Sequence, residues 1–163
     1  MSKFEQLTDN MRLTAGELFA GETVIRSKAA NAFLPPHPAA GPDKASKLVM
    51  YLLGKPGLQL VPGMLHLTNY RLKFKPAELP AAVFTIFLPT IDTVTDVSRL
   101  LLRKIKVTTV NEFSLEFGVW SIGDFIAAVD YARARAKTLD WDVISSDTIR
   151  EADKVGDWAV QVA

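Results

Sequence analysis

The side chains of this chain best suited to chemistry are its cations. Arg71, Lys73 and Lys75 recur at every second position of one segment, Arg103, Lys104 and Lys106 crowd another, and Lys55 stands in the turn Gly54-Lys55-Pro56-Gly57. A spacing of two puts three charges on one side of an extended strand. Such a row attracts anionic lipid or phosphate, at about 1 kcal/mol per residue near a charged membrane surface. The plainer reading is a solvated strand face on which lysine discourages edge-to-edge pairing. Both readings stand at this point.

Catalytic chemistry finds little support. The chain has no cysteine, so a disulfide framework, a thiolate zinc site and a cysteine nucleophile are all excluded. His37 and His66 have no carboxylate at metal-ligand spacing, and neither a Gly-rich phosphate loop nor a Gly-x-Ser-x-Gly turn is present. The carboxylates are scattered or gathered near the C-terminus without an acid/base pairing. No enzymatic activity, no cofactor and no metal are expected.

Charge is unevenly spread along the 163 residues although the net value is only +1. Between Gly63 and Val110 seven basic residues face three acidic ones, whereas from Asp140 to Ala163 six acidic residues outnumber Arg150 and Lys154. The middle is basic and the tail acidic. Apolar residues at 48% are enough for one packed core, and no apolar run of about 18 residues suggests a membrane span. A cytoplasmic protein, peripheral to membranes at most, is the expectation, with no nucleic-acid role.

The elements that must hold these cations read mainly as strands. Phe4, Leu7 and Met11 have the spacing of a short helix within residues 1–20. Glu22 to Lys28 has strand character, and Ala29 to Ser46, with Pro35, Pro36, Pro38, Gly41 and Pro42, reads as an insertion loop. Short strands are expected at Leu48–Leu53, Leu58–Thr68, Tyr70–Lys75, Val83–Leu88, Ile91–Val97, Leu101–Thr109 and Phe113–Phe117. In the third of these Tyr70, Leu72 and Phe74 turn inward and the three cations outward. From Ser121 the period becomes helical, with Ile122, Phe125, Ile126 and Val129 on one stripe to about Lys137. A further short helix is expected within Ser146–Val155. Trp120 is expected to plug the end of the sheet, while Trp141 and Trp158 are candidates for partner contacts or for contacts between tail and sheet.

The run Gly63-Met64-Leu65-His66-Leu67-Thr68-Asn69-Tyr70-Arg71-Leu72-Lys73-Phe74 resembles the hairpin signature of GRAM and myotubularin-type pleckstrin-homology domains. Leu18–Ile25 resembles that family's lead-in, Phe87–Val97 its next strand pair and Ser121–Lys137 its closing helix, so the likeness extends over much of the chain. It implies a mainly β fold with α, a PH-like, partly open antiparallel β-barrel of about seven strands capped by one C-terminal helix, with short helical extensions at both ends. The expected division is an N-terminal extension at 1–20, the barrel at 21–139 with its Pro-rich loop at 29–46, and an acidic tail at 140–163. The resemblance also implies a binding function. Some members take phosphoinositides, usually near the loop between the first two strands, here Gly54 to Pro62 with Lys55; others bind only proteins. The expectation is a non-catalytic peripheral membrane adaptor for anionic lipid or phosphoinositide together with a protein partner, and the alternative is a protein-interaction module without lipid.

Overall fold

The computed structural model describes residues 2–34, 58–78, 83–110, 112, 114–139 and 141. The expected strand Leu48–Leu53, Lys55, the expected helix within Ser146–Val155 and Trp158 lie outside the described residues.

Seven strands make one antiparallel sheet: β1 (Val24–Leu34), β2 (Gln59–Thr68), β3 (Arg71–Pro76), β4 (Phe84–Phe87), β5 (Ile91–Asp96), β6 (Lys104–Thr109) and β7 (Ser114–Val119). Their spatial order is β4-β3-β2-β1-β7-β6-β5, so two meanders are joined where β1 pairs β7 from Ala30↔Val119 to Phe33↔Glu116. β4 and β5 end the order, and the sheet stays open. A helix α1 (Lys3–Met11) precedes it and a helix α2 (Ile122–Ala136) follows, packed on β5, β1 and the 3₁₀ turn Leu88–Thr90. The chain is mainly β with α, as the sequence led one to expect.

The alternation read in the sequence explains the core. Leu72 and Phe74 of β3 point inward with Val61, Leu65 and Leu67 of β2, and the rings of Phe74, Phe84 and Phe117 meet at centroid distances of 5.3 to 6.1 Å. Into this layer α2 sets Ile122, Phe125, Val129, Ala132 and Ala136, a stripe with the three- and four-residue spacing of one helix face. Each large apolar side chain so buried contributes about 1.5–3 kcal/mol. Gly63 has a packing reason, since a Cβ there would strike the Lys75 carbonyl and lie 2.7 Å from the Phe74 ring. At the other side of the helix, Arg133 donates from Nη2 to the carbonyls of Ile91 and Asp92, both at 2.8 Å, and so ties α2 to the β5 edge.

Two expectations are corrected. β1 continues through Ala29–Leu34, read from sequence as the start of the insertion loop. Ala30, Ala32, Phe33 and Leu34 are buried there. Small alanines give a weak strand signal, yet they suit a strand hydrogen-bonded on both sides, to β2 and to β7. Trp120 does not plug the sheet: its side chain is 74% exposed just after β7.

Candidate functional site

The row Arg71, Lys73, Lys75 lies on the outer side of β3 as its spacing required, but that side is covered. Residues 12–22 run across it. Arg71, with 0% of its surface exposed, donates from Nε to Glu22 Oε2 at 2.9 Å and from Nη2 to Glu22 Oε1 at 3.0 Å, and from Nη2 also to the Glu17 carbonyl at 2.7 Å. Its guanidinium stacks 4.2 Å from the Phe19 ring centroid, and Thr68 Oγ1 donates to the same Glu22 carboxylate at 2.6 Å. Lys75 donates to Glu17 Oε1 at 2.6 Å, and Lys73, 4% exposed, lies 3.6 Å from Glu17 Oε2. The open cationic face expected from the sequence is therefore a set of buried and half-buried ion pairs fastening the N-terminal arm to the sheet.

Much of the arm's grip is polar. No residue of α1 is buried, and the helix is stabilised by the capping box in which Ser2 and Glu5 exchange hydrogen bonds. Beyond it, Met11 offers its carbonyl to His66 Nε2 at 2.8 Å, which makes Nε2 the donor and leaves Nδ1 to accept from Ser27 Oγ at 2.7 Å. Burial opposes ionisation of Glu17, yet hydrogen bonds from Lys75 and Thr14 outweigh it and hold the carboxyl at about 2, below its ordinary 4.5. Burial likewise holds the His66 imidazole below its ordinary 6.5. Both shifts act in one direction. In each case the unfolded chain binds the proton more readily, so stability rises with pH across the interval between the two values. The His66 contribution is complete above pH 6.5 and declines on acidification below it; that of Glu17 is complete above pH 4.5 and is lost as pH falls towards 2. Denaturant midpoints measured across this range should fall in those two stages, and Glu17→Gln should shrink the lower stage to the part that Asp96 contributes.

The remaining predicted cations separate. Lys104 is 5% exposed, 3.3 Å from Glu116 Oε1 and 5.8 Å from the Phe33 ring centroid, so it too is an internal pair. Lys106 is half-buried on the same strand, while Arg103 is exposed. Trp141 is half-buried against Tyr70 and Phe87, at ring centroid distances of 5.9 and 6.5 Å, and donates to the Ala136 carbonyl at 2.8 Å. Its ring is engaged within the chain.

What stands open is the hairpin between β5 and β6. Arg99 and Leu102 exchange both backbone hydrogen bonds, at 3.0 and 2.8 Å, which leaves Leu100 and Leu101 as a two-residue turn. Leu100 has φ 51°, the positive value that a type II′ turn requires at its first central residue and that glycine ordinarily supplies. A side chain in that region costs roughly 1–2 kcal/mol. Burial returns nothing against this cost, for Leu100 and Leu101 are 102% and 97% exposed. Strain and exposure together at two adjacent leucines have no structural benefit in the folded chain, and a residue held so is a pointer to function.

The surroundings of the tip are polar and aromatic. Arg99 and Arg103 flank the leucines, both exposed, and among the described residues neither guanidinium meets a hydrogen-bonding or ion-pair partner. Val119 N–H donates to the Arg103 carbonyl at 3.2 Å, which brings the following Trp120 beside the base of the hairpin. A cavity of about 320 Å³ opens there, lined by Asp96, Arg103, Trp120, Ser121, Ile122 and Gly123. The hydroxyl and backbone N–H of Ser98 hydrogen-bond Asp96 and hold its carboxyl below the usual aspartate value.

Of the described residues expected to act, then, the structure brings Arg103 alone to this place. Leu100, Leu101, Arg99, Trp120 and Asp96 were missed. The available signal was the string Arg99-Leu100-Leu101-Leu102-Arg103, three leucines between two arginines where a strand was expected to begin at Leu101. Among the described residues, no helix is long and apolar enough to cross a membrane, and no cluster of metal-ligating side chains is present. No family model matches the chain and no curated protein matches it. Among solved structures it is similar to the C-terminal domain of an unknown protein from Leishmania infantum, at 19% identity and a TM-score of 0.49, over 71% of this chain and 87% of that one.

Proposed function

We propose that this chain is a non-catalytic module, of the pleckstrin-homology/GRAM kind suggested by the Gly63–Phe74 hairpin, that docks reversibly on anionic membrane surfaces through the tip of its β5–β6 hairpin. The observation that carries the reading is the pair of fully exposed leucines, held in a strained turn between two arginines that meet no partner among the described residues. Leucine side chains entering the acyl boundary leave water, the arginines stay at the level of the phosphates with their stems along the apolar surface, and a tryptophan is at home in that same interfacial layer. The dimensions agree. At about 3.3 Å per residue, Arg103 sits roughly 7 Å back from Leu101, comparable to the headgroup layer of one leaflet, which is about 5–8 Å thick.

Magnitudes limit what the tip does alone. Two partly buried leucines contribute about 2–4 kcal/mol and two cations about 1 kcal/mol each, which is of the order of the marginal attachment given by a single acyl chain. A second attachment, for which a protein partner is the natural source, would make residence stable. Sedimentation of the whole chain with vesicles tests the docking itself. Recovery should be greater on vesicles containing phosphatidylserine than on purely neutral ones at low salt. Raising the salt should shrink the difference, because surface charge is screened, while an apolar remainder persists. Equal and negligible recovery on both at low salt would overturn the reading and leave the protein-interaction alternative.

A further inference from the structure

The cavity at the base of the hairpin holds two opposite charges that do not meet. Asp96 and Arg103 stand on the two arms of one hairpin and line the same 320 Å³ space, near enough for Arg103 to favour the ionised Asp96, and yet they form no ion pair with each other among the described residues. An exposed ion pair is worth little, so both groups stay available to another partner. Here Asp96 is oriented by Ser98, whose N–H lies 2.9 Å from its Oδ1, and among the described residues the donors of the Arg103 guanidinium are unspent. The third wall is the ring of Trp120, 74% exposed. An anion alone would find the Asp96 carboxylate opposing it, and a cation alone would find Arg103. A ligand with both charges, one at each end, satisfies the whole set.

The geometry points to a binding site for a phosphodiester or phosphomonoester that carries an ammonium group, of the phosphocholine and phosphoethanolamine class. The phosphate takes the Arg103 guanidinium, whose planar fork suits two phosphate oxygens. The ammonium lies over the Trp120 face, where the ring's negative quadrupole attracts it, and beside the Asp96 carboxylate. No residue of the buried arm takes part. As the headgroup of a membrane lipid, such a ligand would sit just behind leucines that enter the acyl boundary; that source rests on the docking reading above, whereas the chemistry of the site does not.

Titration of the whole chain with soluble phosphocholine, followed by Trp fluorescence and by backbone amide shifts of residues 96–103 and 120–123, tests the site directly. Saturable binding in the millimolar range is expected, at least tenfold tighter than for inorganic phosphate or tetramethylammonium. Arg103→Ala should lose it tenfold or more. Asp96→Asn should erase the preference for phosphocholine over phosphate, and Trp120→Leu should weaken the ammonium-bearing ligand alone. These positions are exposed, and an unchanged denaturation midpoint will show that the variants fold. Absence of saturation, equal affinity for phosphate, or an Arg103→Ala variant that binds as well as the parent would each overturn the proposal. Leu100→Ser/Leu101→Ser separates it from the docking reading, since that variant should keep soluble phosphocholine binding while losing vesicles. Vesicle docking without phosphocholine binding would leave the tip and remove the site. Phosphocholine binding without vesicle docking would keep the site and identify its ligand as a free small molecule.

Discussion

Glu22→Ala is expected to cost about 3–5 kcal/mol of folding stability, the usual consequence of removing one partner from a fully buried ion pair. Arg71 would lose the carboxylate that meets its Nε and Nη2, in a place where both side chains are 0% exposed. Part of the loss is local: the Thr68 hydroxyl, which donates to Glu22 at 2.6 Å, would also be without that acceptor. For a domain of ordinary stability, 5–15 kcal/mol, this is a fifth or more of the total, so the denaturant midpoint should drop sharply at nearly constant slope. Arg71→Lys should recover little, because one ammonium replaces a fork that reaches both Glu22 oxygens and the Glu17 carbonyl. The paired change Glu22→Leu/Arg71→Met distinguishes the worth of the pair from the cost of breaking it, and is expected to lie much closer to the parent than either single change. A Glu22→Ala loss below about 1 kcal/mol would mean that the arm does not seal the pair from water.

The same pair explains why the cations of β3 were easy to find and hard to interpret. Period-two alternation put Leu72 and Phe74 on the inner side and Arg71, Lys73 and Lys75 on the outer, and the structure has that parity. Which surroundings the outer side meets depends on a segment some fifty positions earlier, and local periodicity carries no information on that. Glu17 and Glu22 were the readable hint, two carboxylates in a segment otherwise free of charge between Arg12 and Arg26. The α2 helix was legible because its stripe and its punctuation agree. The β5–β6 tip was not, because its turn contains no Gly, Asn or Pro, the residues by which turns are recognised. A turn built from Arg, Leu, Leu and Leu looks like strand, and it violates local preference at the place where the fold gains nothing from doing so.

Leu100→Ser/Leu101→Ser should weaken vesicle binding by about 30- to 100-fold while leaving the fold untouched. Both side chains contact solvent only, so the change removes no packing, and surface substitutions of this kind stay within about 0.5 kcal/mol of the parent. On the membrane, the lost burial of two leucines at about 1 kcal/mol or more each amounts to 2–3 kcal/mol, or between one and two decades in the dissociation constant at 1.4 kcal/mol per decade. Leu100→Gly sharpens the comparison. Glycine accepts φ 51° without the penalty a side chain meets there, so the folded chain should be as stable as the parent or more so, even after the greater freedom of an unfolded glycine is set against it. Vesicle affinity should nevertheless fall by about tenfold. Stability and docking then move in opposite directions at one residue, which a purely structural role for Leu100 does not allow. If vesicle binding is unchanged in the double variant, the tip is not the docking element, and the strain at Leu100 has to answer to a protein surface that covers the same two leucines.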